Sequence, residues 1–181
     1  TGYACTSELQ GVSGSTMCGI GTFCHEFSHV LGLPDFYVTD YSHELPTLYR
    51  WDVMDRGSYS NDGRTPPTYS AYERFFCGWL VPEPLDSLGL YNLEPLITSN
   101  KAYILSKTKH NLNGYSPDPV EFFLLENRQK IGIDSLGVPG EDMLITHVIY
   151  DQKLWTYNKP NNDPDNMCVH IECAAGTTYE P

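Results

Sequence analysis

The chain has 181 residues, 40% hydrophobic and 13% aromatic, enough to bury a core in one domain or in one domain with a small appendage. Acidic residues outnumber basic ones by 23 to 11, and the net charge of −12 argues against a nucleic-acid partner, because such a surface repels phosphate backbones. No apolar stretch approaches the roughly 18 residues of a membrane-spanning helix, and the longest, such as Glu121–Glu126 and Met143–Tyr150, have the length of strands.

Residues 1–20 are small and polar and read as loop with one short turn of helix. From Gly21 to Leu31 the apolar residues Phe23, Phe27, Val30 and Leu31 recur at helical spacing, and Gly32 and Pro34 end the helix. Residues 35–68, rich in Asp, Ser, Gly and Pro, read as a long structured loop. Tyr69–Trp79 reads as a second helix, set between Pro66-Pro67 and the Pro82–Pro84 break. Beyond residue 85 the pattern changes to short apolar runs between turn signals. Strands are expected at Ala102–Lys107, Val120–Asn127, Met143–Tyr150 and Cys168–Cys173. The fold class is therefore α+β, with a helical, loop-rich region over 1–84 and a mostly antiparallel β-rich region over 85–181 packed on it.

His25-Glu26-Phe27-Ser28-His29 is an H-E-x-x-H sequence inside the first helix. Residues four apart lie one above the other on a helix, so His25 and His29 can aim two imidazoles at one zinc ion. Glu26 then sits where it can reach a metal-bound water rather than the metal. Gly32 permits a sharp turn with positive φ, and Asp35, six residues after His29, can swing back as a third ligand. Three protein ligands plus water is the make-up of a catalytic zinc site, whereas a structural site is closed. The plainer reading is a helix with two ordinary histidines and a turn capped by Asp35. A second alternative takes Glu73, in the Tyr69–Trp79 helix, as the third ligand.

The stretch His25–Tyr37, HEFSHVLGLPDFY, resembles the metzincin consensus H-E-x-x-H-x-x-G-x-x-(H/D), and its Asp variant is similar to the immune inhibitor A family of secreted bacterial metallopeptidases. Trp51–Ser58 (WDVMDRGS) resembles that family's Met-turn segment; Tyr69–Trp79, Phe122–Lys130 and Met143–Asp151 are also family-like, the resemblance being strongest from Gly21 to Trp79 and weaker beyond. The resemblance implies a zincin-like fold, His25, His29 and Asp35 as zinc ligands, Glu26 as general base and Met54 as the Met-turn residue forming an apolar floor. The implied activity is endopeptidase hydrolysis of protein or peptide substrates by attack of a zinc-bound water. The implied location is outside a bacterial cell, secreted or on its surface.

Two positions depart from the family pattern. The tyrosine that contacts zinc in some metzincins, two residues after the Met-turn methionine, is Arg56 here, which leaves Tyr59 or Tyr69 to take its place. The twisted sheet that metzincins place before the active-site helix also cannot come from the 24 residues ahead of His25. The expectation is that an N-terminal part of the catalytic domain is missing here and that this piece alone need not be active. The contrasting function is a catalytically inactive β-rich binding module that retains a metal site.

Several weaker signals remain. The six cysteines (Cys5, Cys18, Cys24, Cys77, Cys168, Cys173) lack C-x-x-C spacing and suit two or three disulfides or a set of buried thiols. Export favours disulfides. Asn161, Asp163 and Asp165 alternate oxygen-bearing side chains that suit calcium, although Pro160 and Pro164 favour an ordinary polar turn. His43 and Glu44 read as solvated loop residues, His147 as a structural histidine in a strand, and Arg128 as a partner for nearby acids such as Glu126.

Overall fold

The computed structural model describes residues 4–11, 14–42 and 47–172. Where loop with a helical turn was expected, a small hairpin forms instead, β1 (Leu9–Gln10) antiparallel to β2 (Thr16–Met17). A two-residue strand is too short to show any period in a sequence.

Helix α1 spans Ile20–Val30. It ends in a Schellman pattern: the Leu33 N–H donates to the Ser28 carbonyl at 3.1 Å and the Gly32 N–H to the His29 carbonyl at 3.0 Å. Gly32 has φ +98°, a conformation that side-chain-bearing residues rarely adopt. The start of the helix lies hard against the 3-10 turn Arg56–Tyr59, since a Cβ on Gly21 would stand 1.9 Å from the Ser58 carbonyl oxygen. The polar side of this helix faces inward, with His25 and Ser28 buried. Its apolar stripe of Ile20, Phe23, Phe27 and Val30 faces outward, 40–56% exposed.

Helix α2 (Ala71–Phe76) is shorter than expected at both ends. Ser70 caps it in a reciprocal box with Glu73, and Gly78 at φ +73° lies past its last turn. The second half holds a five-stranded sheet in the order β3 (Glu83–Pro84), β4 (Tyr103–Ser106), β5 (Glu121–Arg128), β6 (Asp142–Ile149) and β7 (Val169–Ile171). The β3–β4 pair is parallel and the others are antiparallel. Three short helices, α3 (Leu96–Ser99), α4 (Asp134–Gly137) and α5 (Gln152–Thr156), sit in its connections.

One core cluster joins Leu33, Phe36 and Met54 to Tyr72 and Phe75 of α2, Phe122 and Leu124 of β5, Val148 of β6, and Trp155. Buried charges tie the sheet to α2. Arg128 approaches Glu126 and Asp134 at 3.6 and 3.3 Å and donates to the Thr68 carbonyl at 3.0 Å. Asp134 accepts from Thr68 N at 2.7 Å, and Glu126 accepts from Ala71 N. An unpaired buried charge is costly, so these mutual contacts fix where α2 begins.

The described cysteines (Cys5, Cys18, Cys24, Cys77, Cys168) are free thiols rather than the disulfides that export would favour, while Cys173 lies outside the described residues. Cys24 sits inside α1, Cys77 caps α2 and Cys168 precedes β7, so no two of them share an element. Burial pushes the Cys77 and Cys168 thiols up to about 11, which leaves them inert. His43 and Glu44 also lie outside the described residues. No helix among the described residues is long and apolar enough to cross a membrane.

Candidate metal centre

His25 and His29 project from the inner side of α1 with ring centroids 5.0 Å apart, and Asp35 meets them from the turn beyond Gly32. Asp35 Oδ1 lies 2.9 Å from His25 Nε2 and 3.3 Å from His29 Nε2. Tetrahedral zinc with ligand bonds near 2.1 Å keeps neighbouring ligand atoms about 3.4 Å apart, so the spacing suits such an ion.

The other nitrogens decide the tautomers. His25 Nδ1 donates to the Val53 carbonyl at 2.8 Å, and His29 Nδ1 donates to the Leu33 carbonyl at 2.8 Å. A carbonyl can only accept, so each Nδ1 carries hydrogen and each Nε2 of a neutral ring presents a lone pair. Asp35 Oδ1 is buried and has no hydrogen-bond partner. Three electron pairs therefore converge with nothing positive between them, and only a proton or a cation relieves this. In the metal-free chain, protons take that part. Burial alone would lower the His25 pKa, but the Asp35 carboxylate and the Val53 carbonyl outweigh it and hold it above the ordinary imidazole value. Asp35 is the largest influence on His29 and raises it too. Burial pushes Asp35 up, yet the two imidazoles and Asn158 hold it well below the carboxylate range.

Asn158 is a residue that sequence reasoning missed. Its Oδ1 accepts from Asp35 N at 2.6 Å and its Nδ2 donates to Asp35 Oδ2 at 2.6 Å, across 123 residues of sequence. This pair occupies Oδ2 and turns Oδ1 toward the histidines. Asn162 Oδ1 accepts from Thr39 N at 2.9 Å, and Asn161 Nδ2 donates to the Phe36 carbonyl at 2.7 Å. The loop after α5 thus grips the whole Asp35–Thr39 segment. The signal in the sequence was the asparagine-rich run 158–162, but nothing in one dimension says what it holds. Asn161 spends its amide on four backbone groups, since its Nδ2 also donates to the Val169 carbonyl and its Oδ1 accepts from Cys168 N and Val169 N. Asp163 binds Asp165 N and Asn166 Nδ2. In the segment weighed for calcium, Asn161 and Asp163 thus turn their side-chain oxygens to neighbouring amides.

Met54 is fully buried in the core, and its carbonyl accepts from Phe36 N at 2.8 Å. Its neighbour Asp52 fixes this segment, accepting from Met54 N and from Ser70 Oγ at 2.8 Å each. Burial pushes the Asp52 carboxyl up to about 6. Glu73, the rival third ligand, is buried in the α2 capping box with its Oε2 on Ser70 N at 2.6 Å, outside the His25–His29–Asp35 group. Glu26 is half-buried beside the pair, and its charge favours the protonated form of His29. Of the tyrosines considered, Tyr59 is 72% exposed and the Tyr69 hydroxyl lies 2.7 Å from Ser28 Oγ, behind α1. Tyr37, not considered from the sequence, lies beside the trio, its ring stacked 6.3 Å from that of His25, and burial followed by the charge of Asp35 raises its pKa. A cleft of about 440 Å³ opens next to His29, lined by Phe76, Tyr115, Tyr150, Trp155 and Asn158.

Residues 14–79 match the family model described as the immune inhibitor A peptidase M6 catalytic domain. An immune inhibitor A of Bacillus thuringiensis subsp. alesti is 37% identical over 59 residues, 32% of this chain and 9% of that protein. A protein of the fungus Arthroderma benhamiae, provisionally named a secreted metallopeptidase, is 43% identical over 47 residues, 25% of this chain and 7% of that protein. The chain thus aligns with less than a tenth of either relative's length. No solved structure matches it.

Proposed function

We propose, from the similarity of residues 14–79 to the immune inhibitor A catalytic domain, that this chain carries the zinc site and catalytic carboxylate of an exported endopeptidase. The observation that carries the proposal is the buried, unpartnered Asp35 Oδ1 facing two imidazole lone pairs. His25, His29 and Asp35 hold the ion. Bound there, zinc supplies Lewis-acid polarisation of the scissile carbonyl and an acidified water. Glu26 takes that water's proton and returns it to the departing amine. Met54 and the core behind it give the site an apolar floor. The aromatic cleft beside His29 receives an apolar substrate side chain, and the acidic surface favours basic residues farther out.

Residues 1–84 act as the catalytic region and 85–181 as the β-rich region that buttresses it. The exposed stripe of Ile20, Phe23, Phe27 and Val30 supports the expectation of a covering N-terminal sheet, since α1 presents to solvent the face a helix normally buries. On this reading the chain binds zinc by itself but cleaves peptides efficiently only within its parent. The test is metal analysis of both proteins, followed by a quenched-peptide assay with and without chelator. About one equivalent of zinc at the trio and chelator-sensitive cleavage by the parent are expected. A parent that neither retains zinc nor cleaves sinks the proposal and favours a binding module.

A further inference from the structure

The solvent face of the sheet carries a second group of two histidines and a carboxylate. His147 of β6 and His170 of β7 are direct cross-strand partners, and their rings lie 5.1 Å apart. Glu172 follows two residues after His170 and reaches both: its Oε1 lies 3.2 Å from His147 Nδ1 and 3.4 Å from His170 Nε2. These separations again match the roughly 3.4 Å between ligands of a tetrahedral ion.

The surroundings of His147 set its donor pattern. On its far side Nε2 lies 3.2 Å from Glu121 Oε1 in hydrogen-bond geometry, so Nε2 carries hydrogen and Nδ1 of the neutral ring offers a lone pair toward Glu172. A carboxylate that binds one nitrogen of an imidazole and turns the other toward a metal is a recurrent feature of metal sites. Phe123, the cross-strand neighbour in β5, stacks on the ring at 4.3 Å and restricts its rotation. The three side chains are 15%, 20% and 43% exposed, so an ion can enter from solvent and keep water in its remaining position.

We propose that His147, His170 and Glu172 form a second binding site for a late first-row divalent ion such as zinc, oriented by Glu121 and independent of the His25–His29–Asp35 centre. Imidazole paired with carboxylate is the ligand set for this class of ion rather than for magnesium or calcium. Occupancy staples β7 to β6. Asn161 binds both Val169 of β7 and the Phe36 carbonyl, so the staple also steadies the segment that bears Asp35.

The test counts zinc bound per molecule of the full chain, by titration against a chromophoric chelator. It compares the unsubstituted chain with the double variant His170→Gln, Glu172→Gln, whose folding is checked by circular dichroism. The double variant should bind one equivalent less than the unsubstituted chain, whatever number the latter binds, while a His25→Gln, His29→Gln variant keeps the outer equivalent. Glu121→Ala should weaken that equivalent about 10- to 100-fold. An equal zinc count in the unsubstituted chain and the folded double variant overturns the proposal and leaves these residues as an imidazole–carboxylate ion-pair cluster. An equivalent lost only with His25 and His29 overturns it too.

Discussion

The inner and outer groups each join two imidazoles to one carboxylate, an aspartate inside and a glutamate outside, and differ in what aims them. At the inner group two backbone carbonyls take the Nδ1 hydrogens, and Asn158 pins the carboxylate. At the outer group one imidazole is aimed by Glu121, whose side chain is 59% exposed, and Glu172 is 43% exposed. Main-chain carbonyls inside a folded core cannot rotate away, whereas half-exposed carboxylates exchange their contacts for water. Similar ligand chemistry thus stands on a rigid support in one place and on a looser, more solvated one in the other. At the inner group a further carboxylate, Glu26, adjoins a ligand on the same helix.

The hardest break of this comparison removes that carboxylate. Glu26→Gln in the parent protein should lower peptide hydrolysis by roughly 10²- to 10⁴-fold while zinc content stays unchanged, because Glu26 is not a ligand. Substantial residual cleavage, or loss of the metal, contradicts its assignment as general base. Next comes the aiming of Asp35. Asn158→Gly keeps the positive φ of 58° that this position needs and deletes only the amide. Inner-site zinc affinity should fall about 10- to 100-fold with the outer equivalent unaffected, which chelator competition resolves. An unchanged affinity means that Asp35 is held by its turn alone.

What the sequence revealed of each group follows from how it is assembled. His25 and His29 are four apart on one helix and Asp35 is six beyond, so a local pattern and one glycine turn carried that group. Strands β4 to β7 were legible as apolar runs bounded by turns. Register was not, and register is what sets His147 opposite His170. His147 read as an ordinary strand histidine because its partners arrive from 23 and more residues away. Asn158 was hidden for the same reason at a separation of 123 residues. The outward direction of Phe23 and Phe27 could not be read either. Spacing shows that a stripe exists, and only packing shows which side of the helix meets the core.

The smallest expected effect concerns the metal-free inner group and its response to pH. The fold holds His25 and His29 above the ordinary imidazole value of 6.5. Their contribution to stability is therefore fully present below about pH 6.5 and is lost as pH rises through the elevated folded values. Asp35 lies below its ordinary 3.8, so its contribution is present above about pH 4 and fades only in strong acid. With chelator present, the melting temperature should be highest between those limits and fall as pH goes from about 6 to 8. Zinc binding requires the same imidazoles to be bare, so the rise in melting temperature on adding zinc should grow over that interval. His29→Gln should flatten both trends, leaving only what other groups contribute. A chelated chain that becomes more stable between about pH 6 and 8 would mean that Asp35 does not hold the two imidazoles in their charged form, and that the convergence of these three side chains is weaker than their distances imply.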